Sequence, residues 1–217
     1  MTRVCLIGPG DVEYHYQELL GFSKGKLDSE LEKIAQSLVD SDSELTFLPD
    51  GGVSLEVAKK FRALGGKKII GLVPLSDKHP GIGHLRQYMD TSVDGKPLFD
   101  EFIDTGDWAK HDLTMALFGD VVLFLGKSPG TEGERNYGIY MYKIVTGRKK
   151  GVKQPIETIH AQARAGKNFP YTIMIYSLFL ADKKLSPEDE AYMKKFGINL
   201  SYIISPENLK KELKKLL

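Results

Sequence analysis

The sequence predicts an α/β fold of the Rossmann-like, doubly wound type, with a mostly parallel sheet and helices on both faces. Two observations predict it. Short apolar runs rich in Val, Ile and Leu alternate along the chain with longer segments of helical periodicity. Most of these runs end in turns that contain glycine or proline, as strands followed by crossover helices do. With no linker or repeat to divide it, the chain is expected to form one domain, 1–217.

The first half of the chain contains three predicted strands, at 3–7, 44–48 and 68–73. A helix is predicted over 27–38, because its apolar residues recur at helical spacing. Another is expected to begin at Ser54, a capping residue, and to end at a pair of glycines. The irregular stretch 75–107 is rich in Gly and Pro, and a connection of this length is usually functional or carries small elements of its own.

The second half is expected to alternate in the same way. The elements predicted there are a helix over 108–118, a central strand within 120–126, a helix opened by Thr131, a helix over 154–165, a strand over 171–180, a helix after Ser186, a strand over 200–204 and a last helix after Ser205.

The turns after the strands are the candidate binding site. In a parallel sheet all these turns lie at the carboxyl edge, where ligands bind at the point at which the strand order reverses. Backbone N–H groups and helix N-termini at such turns favour an anion. The predicted phosphate- or nucleotide-binding residues are Gly8, Gly10, Gly51, Gly52, Ser128, Gly130 and Thr131.

Two glycine motifs in these turns do not complete known fingerprints. Gly8 and Gly10 begin a dinucleotide-binding pattern, but Glu13 occupies the position of its third glycine. The segment 126–128 resembles the end of a P-loop, but the required earlier glycine is Val121.

Thr131 and Glu134 have the spacing of a capping box, in which each side chain would bond the other's backbone N–H. Alternatively, an anion lies over the helix start and Glu134 faces it as an acid, a base or a stabiliser of positive charge. The pattern leaves both interpretations open.

Composition excludes several other classes of protein. The formal net charge of +1 gives no electrostatic reason to expect a nucleic-acid or anionic-membrane partner. The single cysteine, Cys5, excludes an intramolecular disulfide and a cysteine-based metal cluster, and fits a reducing cytoplasm. No apolar run has the length of a membrane-spanning helix, and the first residues do not have the pattern of a signal peptide.

From about Arg3 to Thr146 the ordered segments resemble the LOG-type phosphoribohydrolases, also described as lysine decarboxylase-like proteins, within the Rossmann-like SLOG superfamily. The family motif is Pro-Gly-Gly-x-Gly-Thr-x-x-Glu. Gly130, Thr131 and Glu134 match it, whereas its first three positions read Gly-Lys-Ser in 126–128. The resemblance implies that the Gly-Thr pair holds a phosphate and that Glu134 assists cleavage. The position of the family's paired arginine falls on His111, with Lys110 beside it, and either side chain could replace the charge of the arginine.

The resemblance implies a nucleoside 5′-monophosphate hydrolase that cleaves the N-glycosidic bond to a base and ribose 5-phosphate. It also implies a homodimer that needs no metal or redox cofactor. The altered Lys127-Ser128 and the missing arginine favour an alternative, a non-catalytic nucleotide sensor or carrier of the SLOG type.

Overall fold

The computed structural model describes residues 1–77, 80–143 and 171–216. The helix predicted over 154–165, and the end predicted near residue 147 for the helix before it, lie outside these residues.

A seven-stranded, entirely parallel sheet forms the centre of the described chain. Its strand order is β6-β3-β2-β1-β7-β8-β9, and β4 and β5 form a separate antiparallel hairpin. The strands are β1 Thr2–Ile7, β2 Ser43–Phe47, β3 Lys68–Val73, β4 Ser92–Val93, β5 Lys96–Pro97, β6 Glu101–Asp104, β7 Val121–Phe124, β8 Thr172–Tyr176 and β9 Asn199–Ile203.

Helices connect the strands on both faces of the sheet. They are α1 Lys24–Asp40, α2 Val53–Ala63, α3 Arg86–Met89, α4 Trp108–Phe118, α5 Pro129–Lys143, α6 Pro187–Phe196 and α7 Pro206–Lys214, with a π-helical turn at Glu13–Leu19 and 3₁₀ turns at Pro80–Leu85 and Ser177–Phe179. No described helix combines the length and the apolar character needed to cross a membrane.

The hydrophobic core has two layers because strand side chains alternate between the faces of the sheet. Val4 and Leu6 of β1 pack with α1, α2 and α7, whereas Cys5 and Ile7 pack in the other layer with α4 and α5. The predicted fold class is therefore confirmed.

The strand order reverses between β1 and β7. From β1 the chain builds outward through β2, β3 and β6, and it then returns to β7 and builds through β8 and β9 on the other side. Val4 to Ile7 pair in register with Val121 to Phe124, so the loops that follow these two strands diverge and open a crevice.

Two predicted element boundaries need correction, and the small elements expected within 75–107 are present. The strand predicted over 171–180 ends at Tyr176, where a 3₁₀ turn begins. The irregular segment 75–107 contains the edge strand β6 and the β4–β5 hairpin. Helix α5 begins at Pro129, two residues before Thr131, because Ser128 and Pro129 occupy the cap and first positions.

Candidate functional site

A cavity of about 230 Å³ lies at the reversal of strand order. Its walls come from the loops after β1, β2 and β7, from the first turns of α2 and α5, and from one side chain of α4. The lining residues are Leu6, Ile7, Gly8, Gly10, Leu48, Asp50, Gly51, Ser54, Met115, Ser128, Gly130, Thr131 and Glu134. All the residues predicted to bind phosphate line it except Gly52, which precedes Val53 at the start of α2.

The N-terminus of α2 carries no side-chain cap. Gly52 is its N-cap, so the prediction that Ser54 caps this helix is wrong; Ser54 lies two residues further on and lines the cavity. The N–H of Val53 donates to Pro9 O at 3.2 Å, so the N–H groups of Ser54 and Leu55, with the positive end of the helix dipole, are the ones offered to water or to a bound anion.

Close contact between two loops explains why Gly8 and Gly52 are glycines. A Cβ atom on Gly8 would lie 2.2 Å from Val53 Cγ1. Gly52 has φ +119°, and a Cβ atom there would lie 2.6 Å from Pro9 O. Both residues therefore allow the loop after β1 to pack against the start of α2, whatever the ligand.

The N-terminus of α5 is capped by Ser128, so the capping box of Thr131 with Glu134, one of the two interpretations that the sequence left open, does not form. The N–H of Glu132 donates to Ser128 O at 2.9 Å, which makes Ser128 the N-cap. The N–H of Ser128 donates to Thr131 Oγ1 at 2.7 Å, and the N–H of Thr131 donates to Ser128 Oγ at 3.3 Å. At 3.3 Å the second bond is just longer than the usual range of about 2.7–3.2 Å, so it is weak. Replacing it with a bond from the same N–H to an anion would cost little free energy.

With the cap formed by Ser128 and Thr131, Glu134 takes no part in capping the helix and lines the cavity. The pKa of Glu134 is raised to about 8, chiefly by burial and in addition by the nearby carboxylates of Asp112 and Asp50. Glu134 is therefore mostly protonated at neutral pH and can donate a hydrogen bond to a ligand.

His111 lies in α4 and is fully buried outside the cavity lining. Its Nδ1 lies 3.0 Å from Thr105 Oγ1. Burial lowers the pKa of His111 to about 4, so its ring is neutral at pH 7. The prediction that His111 replaces the charge of the family arginine is therefore wrong, because the site that buries the ring also keeps it uncharged.

His111 nevertheless lies beside two carboxyl groups. One potential ligand atom from each of His111, Asp112 and Glu134 falls within 4.8 Å of the others. Sequence analysis missed Asp112, because nothing in a single sequence indicates that the second turn of α4 faces the first turns of α5.

Arg135 is a second residue that sequence analysis missed. It is 1% exposed, and its Nη2 lies 2.8 Å from Glu132 Oε2 and 3.3 Å from Asp189 Oδ2. Arg135 therefore links the start of α5 to α6 through two ion pairs. It directly follows Glu134, which lines the cavity. An arginine directly after Glu134 has no apolar or motif context from which its burial could have been predicted.

A larger cavity of about 520 Å³ lies on the other side of the loop after β7. The π-helical turn and the loop before α6 form its walls, with Lys127 and Lys184 among the lining residues. It contains none of the predicted site residues, and it is a competing location for a ligand.

Fold and site together define a Rossmann-like α/β protein with a small cavity at the reversal of strand order and two helix N-termini directed to it. Solved structures of other proteins have the same class of fold. No family profile and no curated protein matches the chain.

Solved structures match along almost the whole chain. The protein TM1055, solved by a structural genomics consortium, is 14% identical with a TM-score of 0.57, and the match covers 99% of each chain. The molybdenum cofactor binding protein of Rippkaea orientalis is 16% identical with a TM-score of 0.54, covering 99% of this chain and 96% of its own. The molybdenum cofactor carrier protein of Chlamydomonas reinhardtii is 15% identical with a TM-score of 0.52, covering 99% and 97%. At such identities the likeness shows a shared Rossmann-type fold.

Proposed function

We propose that this protein binds a phosphorylated small molecule of the nucleotide type in the 230 Å³ cavity, as a SLOG-type carrier or sensor. The observation that carries the proposal is the convergence of two helix N-termini, those of α2 and α5, on one cavity at the carboxyl edge of the sheet. The uncapped first turn of α2 and the N–H of Gly130 are the donors for the phosphate oxygens.

The size of the cavity limits how much of a nucleotide it encloses. Ligand sites for drug-sized molecules usually measure about 300–1,000 Å³, and this one is somewhat smaller. A phosphate and its sugar fit within it, against the apolar side chains of Leu6, Leu48 and Met115, and a base would extend toward the opening.

The state of Glu134 and His111 favours binding over catalysis. Cleavage of an N-glycosidic bond builds positive charge on the ribose, which an ionised carboxylate stabilises. At neutral pH Glu134 is mostly protonated and His111 is neutral. Neither residue then supplies a charge to the transition state.

The names of two solved neighbours supply a further ligand to test. The proteins from Rippkaea orientalis and Chlamydomonas reinhardtii are named for binding or carrying the molybdenum cofactor. A carrier role of this kind fits a site that binds its ligand without chemical change.

Phosphoribohydrolase activity of the LOG type is the second candidate. The observation in its favour is that Glu134, the residue matching the family's acidic position, lines the cavity. Its pKa of about 8 gives this candidate a signature, because cleavage by the ionised form would increase as the pH rises through that value.

A thermal-shift screen with product analysis tests both candidates. Nucleoside 5′-monophosphates and the molybdenum cofactor are added to the protein, and a ligand that binds the native state raises the melting temperature by mass action. The same samples are analysed for free base by chromatography at pH 7 and 9. We expect stabilisation by at least one ligand and no base. Free base that disappears in Glu134→Gln would establish the hydrolase, and a panel with no shift would overturn the binding proposal.

A further inference from the structure

The phosphate-binding cavity contains carboxyl groups but no cationic side chain among its described lining residues. Asp50 and Glu134 line it, and Asp112 lies next to Glu134. A phosphate placed there meets acidic groups and the partial charges of two helix ends, each equivalent to roughly half an elementary charge. The site as built from these residues therefore lacks a full positive charge opposite its ligand.

We infer that a divalent cation of the Mg²⁺/Mn²⁺ class, held by His111, Asp112 and Glu134, supplies that charge and binds together with the phosphorylated ligand. The inference rests on the proposed function and adds a metal to the same site. Mg²⁺ is commonly held by one or two carboxylates together with substrate phosphates, and Mn²⁺ also accepts an imidazole nitrogen.

The geometry of the three side chains is close to that of a metal site. Their ligand atoms lie within 4.8 Å of one another. Ligand atoms about 2.1 Å from an octahedral metal lie about 3.0 Å apart when adjacent and about 4.2 Å apart when opposite, so the three side chains would move inward to close the site. Three protein ligands leave coordination positions open for water and for a phosphate oxygen.

The surroundings of His111 resemble those of a metal ligand. The hydroxyl of Thr105 lies 3.0 Å from Nδ1, on the ring's other side from Nε2, and such a contact to one ring nitrogen fixes the orientation of a metal-binding imidazole.

Glu134 joins the two parts of the site. It belongs to the three-residue cluster and it also lines the cavity beside Thr131 and Gly130. A cation on Glu134 therefore lies at the wall of the cavity, next to the start of α5. That is the side on which the family resemblance places an arginine and this chain has His111.

Mn²⁺ binding to the full chain, measured by electron paramagnetic resonance of the free ion, tests the inference. We expect about one Mn²⁺ per chain in the wild type and its loss in Asp112→Asn. Asp112 does not line the cavity, so this variant leaves the ligand-facing surface in place. Asp90→Asn makes the same change at an exposed carboxylate outside the cluster and should bind Mn²⁺ as the wild type does. Circular dichroism checks that each variant is folded.

The affinity for AMP with Mn²⁺ and with EDTA completes the test. We expect at least tenfold tighter AMP binding with Mn²⁺ in the wild type and in Asp90→Asn, and no such gain in Asp112→Asn. No bound Mn²⁺, or equal Mn²⁺ binding by Asp112→Asn, overturns the inference. Equal AMP affinity with Mn²⁺ and with EDTA also overturns it, while the proposed function stands. If Mn²⁺ binds as expected but no ligand of the nucleotide panel binds under either condition, the proposed function fails. The inference that the cation binds together with a phosphorylated ligand then fails with it.

Discussion

Gly130 lies in the first turn of α5 and lines the cavity, and a Cβ atom added there would meet no other atom within 4 Å. Gly133 lies one turn further along the same helix, also has open space at its Cβ position, and does not line the cavity. The two glycines therefore form a matched pair, in which the same added methyl group either enters the cavity or does not.

We predict that Gly130→Ala and Gly133→Ala each stabilise the protein, by up to about 1 kcal/mol, because alanine has the higher helix propensity. We predict that only Gly130→Ala weakens ligand binding, by tenfold or more, because its methyl group occupies space needed by the phosphate. Urea unfolding and calorimetric titration measure the two effects. Equal affinities in the two variants would contradict the placement of the ligand.

A second prediction at this scale concerns the pH dependence of Glu134 in metal-free buffer. Its pKa is raised from 4.5 to about 8 on folding, so between these values the folded state holds a proton that the unfolded state releases. The contribution of Glu134 to stability is therefore present at low pH and is lost as the pH rises through this window, by at most about 1.4 kcal/mol per pH unit.

Glu134→Gln should remove this dependence. We expect its free energy of unfolding, measured against the wild type in EDTA, to increase from pH 5 to pH 8 and to level off above that. Subtracting the wild type cancels the opposite contribution of His111, which is destabilising at low pH because its folded pKa is about 4. A difference that stays constant from pH 5 to pH 9 would show that Glu134 has an ordinary pKa.

At the scale of elements, the buried guanidinium of Arg135 holds α5 against α6 through Glu132 and Asp189. Arg135→Met removes the buried partner of both acids, although Lys127 Nζ stays 3.8 Å from Glu132 Oε2, and we predict a loss of about 3–5 kcal/mol in stability. Lys215→Met is the control, since Lys215 pairs with Glu212 at the surface and its loss should cost less than about 1 kcal/mol. Urea unfolding compares them, and equal losses would refute a structural role for Arg135.

The elements with regular periodicity were predicted well. Helix 108–118 and strand 68–73 have the predicted bounds, because apolar spacing and flanking turns identify both. The start of α5 was misplaced, although Ser128-Pro129 repeats the Ser-Pro pattern that correctly located the starts of α6 and α7. The glycine after Pro129 gave the segment the composition of a turn, and this concealed a capped helix start.

Short elements were missed for a different reason. Strand β6 has four residues, mostly exposed at the edge of the sheet, so its sequence lacks the apolar run of a central strand. The π-helical turn at Glu13–Leu19 has no sequence pattern of its own and depends on packing, with Tyr16 fully buried within it.

At the scale of the whole molecule, topology explains why the glycine turns could be assigned to one site. In a parallel sheet every carboxyl end lies at the same edge, and the order β2-β1-β7 brings the loops after these strands together. The charge state of the site was not predictable in this way. It depends on how α4 packs beside α5, which buries His111 and places Asp112 next to Glu134.

The measurement that tests the account most directly is the set of backbone amide shifts in ¹⁵N-labelled protein when the best ligand of the nucleotide panel is added. We predict the largest shifts at Gly10, Gly51, Ser54, Gly130 and Thr131, which surround the cavity between β1 and β7. Shifts concentrated instead at the larger cavity, around Lys127 and Lys184, would contradict the central claim that the two helix N-termini hold the phosphate.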